Sequence, residues 1–167
     1  MPVTPYHLGP VLLLGILLFP ALYLPGLLIG SVIVDIEPFL YLSHGIGTHP
    51  HAITHTYLGG AVVGIALGLV LFSLRKLIRK IMNPIRLGQD SSLRNIIASS
   101  VLGVYSHIFF DSFMYADIEP FFPLMAKPLY EMVGWGEIYI FCSVTFILGF
   151  FAYLYKLGKS RGLKSIK

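Results

Sequence analysis

Apolar runs separated by short polar segments dominate the chain. A membrane helix needs about 20 apolar residues, and a shorter run must be completed by its flanks or lie only partly in the bilayer. Five apolar runs occur here, of which the first two are short: Leu8–Phe19, Leu27–Val34, Thr56–Leu74, Asn95–Phe113 and Gly136–Tyr155. The pattern therefore predicts an all-α, polytopic membrane helical bundle with four to five membrane-embedded helices.

The first two runs are separated by Pro20 and by Pro25-Gly26, and two arrangements compete. One is a single kinked span. The other is a hairpin of two shorter helices that turns near Pro20 to Gly26. A helix of twelve residues reaches only about 18 Å of a hydrocarbon core of about 30 Å, which favours the hairpin. The hairpin would bring His7 to the same side as Asp35.

Small and polar residues recur at helical spacing in two of the later runs. Gly60, Gly64 and Gly68 form one stripe, which would let another helix approach closely. In the following run the stripe consists of Ser100, Gly103, His107 and Asp111. Because these residues share one helical face, we expect that face to contact protein rather than lipid.

The composition supports an integral membrane protein of one domain, residues 1–167. Hydrophobic residues make up 56% of the chain, charged residues only 12%, and the mean hydropathy is +0.78. No basic residue precedes the first apolar run and no small-residue cleavage site follows it, so we expect this helix to be retained. The only cysteine, Cys142, lies in an apolar run, which argues against a disulfide or a thiolate metal cluster.

Basic residues are concentrated in two blocks. Six lie between Arg75 and Arg94, five lie in the tail 156–167, and only Lys127 lies elsewhere. Both blocks flank apolar runs, so the positive-inside rule predicts a basic cytoplasmic loop at 75–94 and a cytoplasmic C-terminus. Anionic membrane lipids suffice to account for the net charge of +4, and no nucleic-acid partner is expected.

Candidate chemistry is concentrated in two segments. Asp35 to His55 holds two carboxylates and four of the six histidines, and His107 to Glu119 adds another histidine and three carboxylates. The five letters Asp-Ile-Glu-Pro-Phe occur in both, at Asp35–Phe39 and Asp117–Phe121. The predicted topology brings both segments to the same membrane face, which suggests a metal site.

Spacing indicates how these side chains could act together. His51 and His55 are four residues apart, as are His107 and Asp111, and in a helix each pair would share one face. Imidazole and carboxylate ligands without thiolate favour zinc, iron or manganese, and the ligands suffice for one or two ions. Two ions about 3.5 to 4 Å apart can activate water and hold a phosphoryl group.

Structural interpretations of the same residues stay open. A mutually paired polar network would also explain ionisable residues close to the end of an apolar span. His44 and His49, in a glycine-rich segment, are interpreted as solvated loop histidines. The pattern assigns no role to Asp117 and Glu119.

These motifs resemble a known family. The order Thr4-Pro5-Tyr6-His7, Asp35-Ile36-Glu37, Thr54-His55-Thr56 and His107-x-x-x-Asp111 is similar to that of the prokaryotic membrane-bound metal-dependent hydrolases. These are also described as LexA-binding, inner-membrane-associated hydrolases, and the family is distantly similar to zinc-dependent phospholipase C. In this chain Glu37 and Pro38 stand where the family's acidic motif has an aspartate and a histidine.

The resemblance implies a function at the outer face of the plasma (inner) membrane. It would be metal-dependent hydrolysis of a lipid or lipid-linked headgroup, with zinc the first choice of metal. The implied ligands are His7, Asp35, His51, His55, His107 and Asp111, and Glu37 is the implied general base or an additional ligand. The alternative is a small structural or metal-binding subunit of a larger membrane complex, with other subunits as partners. A proton or ion transporter is a third interpretation, although the carboxylates lie near one face only.

Overall fold

The computed structural model describes residues 4–45, 51 and 53–162. Within these ranges the chain is helical, and no strand occurs among the described residues. Short 3-10 helices cover Thr4–His7 and Ile53–His55. The α-helices are α1 (Leu8–Leu17), α2 (Leu24–Ile33), α3 (Ile36–His44), α4 (Tyr57–Met82), α5 (Leu93–Met114) and α6 (Trp135–Gly162). The all-α polytopic bundle predicted from the apolar runs is confirmed.

Within the described ranges, four stretches are long and apolar enough to cross a membrane. They are Leu24–His44, in which α2 and α3 follow each other with a break of two residues, Tyr57–Met82, Leu93–Met114 and Trp135–Lys159. The helix α1 is shorter, with 10 residues. The observed set matches the four to five membrane-embedded helices expected.

The first two helices form a hairpin, as predicted. The turn comprises residues 18–23, somewhat earlier than expected, because Pro25 stands within the first turn of α2, where its missing N–H costs no helical hydrogen bond. Gln89, in the connection between α4 and α5, forms two hydrogen bonds with this turn. Its side-chain oxygen accepts from the Leu24 amide at 2.9 Å, and its side-chain NH2 group donates to the Leu22 carbonyl at 2.6 Å.

The glycine stripe of α4 is the surface on which α5 packs. A Cβ atom added at Gly64 would lie 2.8 Å from the Cα of Val101, and one at Gly68 would lie 2.7 Å from the Cα of Ile97. Such distances leave no room for a side chain, so the two backbones approach each other closely, as expected where packing drives helix association in lipid. The stripe predicted from the spacing of the glycines is confirmed.

The helix α5 occupies the centre of the bundle, between α2 and α4. Its polar stripe is buried, with Ser100 and His107 fully inaccessible and Asp111 almost so. This confirms that the stripe contacts protein. Ser92 caps the start of α5 by accepting a hydrogen bond from the Asn95 amide, and Thr56 caps α4 in the same way through the Gly59 amide.

The two basic blocks, predicted as a loop and a tail, are partly helical. The helix α4 continues without interruption to Met82, so the predicted loop 75–94 is the last two turns of α4, a connection at 83–92 and the first residues of α5. Similarly, α6 continues to Gly162, and residues 163–167 of the predicted tail 156–167 lie outside the described ranges. Glycine and proline are absent from 75–82, and Arg and Lys are good helix formers, which explains the continuation.

Candidate metal centre

Among the described residues, four side chains of metal-ligand type converge at one end of the bundle from three parts of the fold. One ligand atom from each of Asp35, His55, His107 and Asp111 lies within 4.8 Å of the other three. Asp35 stands at the break between α2 and α3, His55 precedes α4, and His107 and Asp111 lie on one face of α5. The three residues other than Asp35 are buried, so the fold collects these groups inside protein.

His107 is oriented by the backbone of α2. Its Nδ1–H donates a hydrogen bond to the Ser31 carbonyl oxygen at 2.7 Å, because a carbonyl can only accept. In a neutral ring this would leave the lone pair on Nε2, which lies 3.3 Å from Asp35 Oδ1 and 3.2 Å from Asp111 Oδ2. An outer partner on one ring nitrogen is the usual arrangement of a histidine that binds metal through the other.

His55 is oriented by a carboxylate in the same way. Its Nδ1 lies 3.4 Å from Glu37 Oε2, and its buried Nε2 makes no hydrogen bond with any described residue. Burial lowers the pKa of His55, and the neighbouring His107 lowers it further, against a raising contribution from Glu37. A neutral imidazole is the form that binds a metal, so this environment suits a ligand.

Glu37 contacts the Nδ1 side of His55. Its Oε2 accepts hydrogen bonds from the Thr54 amide at 3.1 Å and from the Thr54 hydroxyl, in addition to its contact with His55. These contacts fix the Glu37 carboxylate beside His55, and its role as general base or additional ligand stays a prediction. The Thr54-His55 dipeptide is thereby tied to the start of α3.

His7 lies beside the four groups and extends them. Its ring stacks on the His107 ring with centroids 4.0 Å apart, and its Nε2 lies 3.1 Å from Asp111 Oδ1. Asp111 therefore presents one oxygen to His7 and the other to His107. The hairpin of α1 and α2 makes this contact, as expected from its geometry.

His51 stands apart from its predicted arrangement. The spacing suggested that His51 and His55 share a helical face, but His51 lies in a bend and His55 ends a separate 3-10 helix. The Thr54 amide, which in a continuous helix would donate to the carbonyl four residues earlier, donates to Glu37 Oε2 instead. His51 is nevertheless nearby: its ring is 4.8 Å from that of His55, and its Nδ1–H donates to Asp117 Oδ2 at 2.8 Å.

The remaining candidates fall at the edge of the site or beyond it. Tyr115 was not singled out from the sequence, yet its ring lies 4.4 Å from that of His51 and its hydroxyl oxygen is buried. Burial raises the pKa of Tyr115, and the nearby Asp111 carboxylate raises it further, so the phenol stays protonated. His44 is exposed, as expected for a solvated histidine, and His49 lies outside the described residues.

The donor set fits a divalent ion of the zinc, iron or manganese class. The set offers two imidazoles and two carboxylates without thiolate. Moreover, the buried Nε2 atom of His55 makes no hydrogen bond with the residues that the structure describes, and that of His107 contacts only carboxylate oxygens of the same set there. Buried polar atoms are normally satisfied, and lone pairs that converge without hydrogen bonds are the arrangement a metal ion requires.

Comparison with family models gives one match, to the YdjM inner membrane protein family, over residues 5–165. The chain belongs to this family. The match spans almost all of its 167 residues and agrees with a multi-pass protein of a prokaryotic inner membrane. Comparisons with curated proteins and with solved structures give no match.

Proposed function

We propose that the protein is a membrane-embedded, metal-dependent hydrolase that acts on a lipid or lipid-linked headgroup at the outer face of the membrane. The observation that carries the proposal is the convergence of Asp35, His55, His107 and Asp111 within 4.8 Å. The similarity of the sequence motifs to membrane-bound hydrolases supports it. The family match itself adds the membrane location and no reaction.

The four converging residues would hold the ion. His7, whose Nε2 lies beside Asp111 Oδ1, would be a further ligand. The metal when bound would supply a water of lowered pKa and polarise an ester oxygen. The chain's own contribution is to fix the ligands: the Ser31 carbonyl holds His107, and Glu37 holds His55. Because Asp111 presents its two oxygens to different histidines, the arrangement suits one ion or two.

Apolar side chains around the site favour a lipid substrate. The helix α3 begins beside Asp35 and exposes Ile36, Phe39 and Leu42, which recur every three residues. Phe121 and Phe122, in the connection between α5 and α6, are also exposed. Side chains of this kind next to membrane spans are suited to the headgroup boundary, where a lipid would present its polar end to the site.

The degree of burial favours one alternative, a structural metal or polar lock in a subunit of a larger complex. His55 and His107 have no exposed surface, and Asp111 has almost none. Structural metal sites are closed, whereas catalytic sites keep an open position. In the described chain, Asp35 is the member of the set that is partly exposed and is thus where an open position would lie.

Metal analysis of protein purified in detergent without chelator tests the proposal. We expect about one or two divalent ions per chain. His55→Ala and Asp111→Ala should each lower bound metal, and the loss of one partner of a buried pair should lower stability by about 3–5 kcal/mol. Metal-dependent release of a water-soluble headgroup from a labelled bacterial lipid extract should then be lost in both variants.

The outcomes separate the two functions. Tightly bound metal without headgroup release, together with stoichiometric partner subunits, would favour the structural alternative. Protein without metal whose fold tolerates both substitutions would reduce the cluster to a polar network.

A further inference from the structure

His51 is fixed more firmly than its place in a connecting segment requires. Its Nδ1–H donates to Asp117 Oδ2 at 2.8 Å, its ring meets the edge of the His55 ring at 4.8 Å, and the Tyr115 ring covers it at 4.4 Å. Only 6% of His51 is exposed although it lies in a bend. Three independent contacts therefore hold one imidazole against a member of the metal centre.

The contact with Asp117 repeats what is seen at the two buried histidines. In each case the Nδ1 atom faces an oxygen outside the metal centre: the Ser31 carbonyl for His107, Glu37 for His55 and Asp117 for His51. Such outer partners fix the orientation of the ring and raise the basicity of its other nitrogen.

We propose that Asp117 is a positioning residue of the metal centre, holding His51 as an additional ligand on the outer side of the site as Glu37 holds His55. This rests on the proposed metal-dependent function and extends it to a carboxylate with no role assigned from sequence. The sequence predicts His51 as a ligand through a helical pairing with His55, and in the structure the partner of its Nδ1 atom is Asp117.

Exposure places this pair on the outer side of the site. Glu37 is 20% exposed, whereas Asp117 is 41% exposed, and His51 lies between Asp117 and the fully buried His55. Of the three contacts between a histidine Nδ1 atom and an oxygen, that of His51 with Asp117 is therefore the outermost. The imidazole of His51, at 6% exposure, is also slightly more accessible than those of His55 and His107.

The test is the affinity of the detergent-purified protein for Zn²⁺, measured by competition with a chromophoric chelator. Asp117→Asn keeps the size of the side chain and removes its charge, and we expect it to weaken Zn²⁺ binding about 10- to 100-fold. Glu119→Gln is the matched control. It lies in the same connection and contacts Lys127 rather than a histidine, so Zn²⁺ affinity should stay within about twofold.

A second measurement separates positioning from a structural latch. The thermal unfolding midpoint of the metal-free protein should change little between wild type and Asp117→Asn, because Asp117 is 41% exposed and the Asn side-chain oxygen can still accept the hydrogen bond from His51. The visible spectrum of the Co²⁺-substituted protein should change in His51→Ala, since the ligand set changes, and not in Glu119→Gln.

Each outcome bears on the proposal. Unchanged Zn²⁺ affinity in Asp117→Asn overturns it, and so does an equal loss of stability in the metal-free and metal-bound forms, which would make the pair a latch. If the wild type binds metal and releases headgroup, the proposed hydrolase function remains supported after either result. A wild type that binds no Zn²⁺ would instead refute the proposed function and this inference together.

Discussion

The two copies of Asp-Ile-Glu-Pro-Phe adopt different structures and contribute to different parts of the site. The first, Asp35–Phe39, starts the helix α3 at the buried centre, and the second, Asp117–Phe121, forms turns in the outer connection. Their isoleucines show the contrast: Ile36 is 51% exposed, and Ile118 is 1% exposed. Identical local sequence therefore does not determine the backbone or the buried face.

The carboxylates behave more alike than the backbones. The aspartate of each copy lies beside a histidine: Asp35 Oδ1 is 3.3 Å from His107 Nε2, and Asp117 Oδ2 is 2.8 Å from His51 Nδ1. The ring nitrogen differs, however. Asp35 faces the nitrogen that would bind metal, whereas Asp117 faces the opposite one. One motif thus supplies a candidate ligand in the first copy and a candidate positioning residue in the second.

The topology gives the largest expected effect, because labelling by an impermeant thiol reagent in intact cells is all or none. In a Cys142→Ala background, His44→Cys next to the first copy and Leu124→Cys next to the second should both be labelled. Asp90→Cys, in the connection at the opposite end of the bundle, should be labelled only after the cells are opened. Labelling of Asp90→Cys in intact cells would invert the orientation.

The aspartates give the next largest effect. Asp35→Ala removes a proposed ligand. Loss of a residue that only orients a ligand lowers metal affinity by at most about 100-fold, so we expect Zn²⁺ affinity to fall by more than this in Asp35→Ala. Zn²⁺ should then no longer raise the thermal unfolding midpoint. Asp117→Ala should retain measurable Zn²⁺ binding. Equal losses in the two variants would mean that the copies have equivalent roles.

The glutamates should differ by a smaller factor. Glu37→Gln keeps an oxygen for the Thr54 amide but loses the charge that holds His55, so Zn²⁺ affinity should fall about 10- to 100-fold. Its counterpart Glu119 forms a partly exposed ion pair with Lys127, and the same change there should alter stability by less than about 1 kcal/mol. Chelator competition and thermal unfolding measure the two effects. A ligand role for Glu37 would give a loss as large as that of Asp35→Ala.

Much of the fold follows from periodic signals in the sequence. Runs of apolar residues determine the spans, the glycines of α4 recur every four residues, and the polar stripe of α5 repeats at the spacing of its helix, so each is visible without tertiary contacts. The hairpin was also predictable, because proline and the short length of the first run leave few alternatives.

The site was only partly predictable. His107 and Asp111 share a helix, so their spacing determined their proximity, whereas the spacing of His51 and His55 was misleading because the segment between them is not an α-helix. The groups that contact the outer side of the histidine rings could not be predicted from spacing. The Ser31 carbonyl is a backbone group, and Asp117 and Tyr115 meet His51 only after the connection between α5 and α6 folds over the end of the bundle.

The phenylalanines that close the two copies should differ least, and they test the lipid-facing boundary of the site. Phe39 is 62% exposed and lies within the continuous apolar stretch Leu24–His44, whereas Phe121 is 43% exposed and packs against the Tyr57 ring. In a Trp135→Phe background, tryptophan placed at residue 39 should be quenched by brominated lipids about twofold more strongly than tryptophan at residue 121. Intrinsic fluorescence in vesicles with and without brominated acyl chains measures this. If residue 39 were quenched no more than residue 121, then α3 would lie outside the bilayer, and the apolar side chains beside Asp35 would no longer support a lipid substrate.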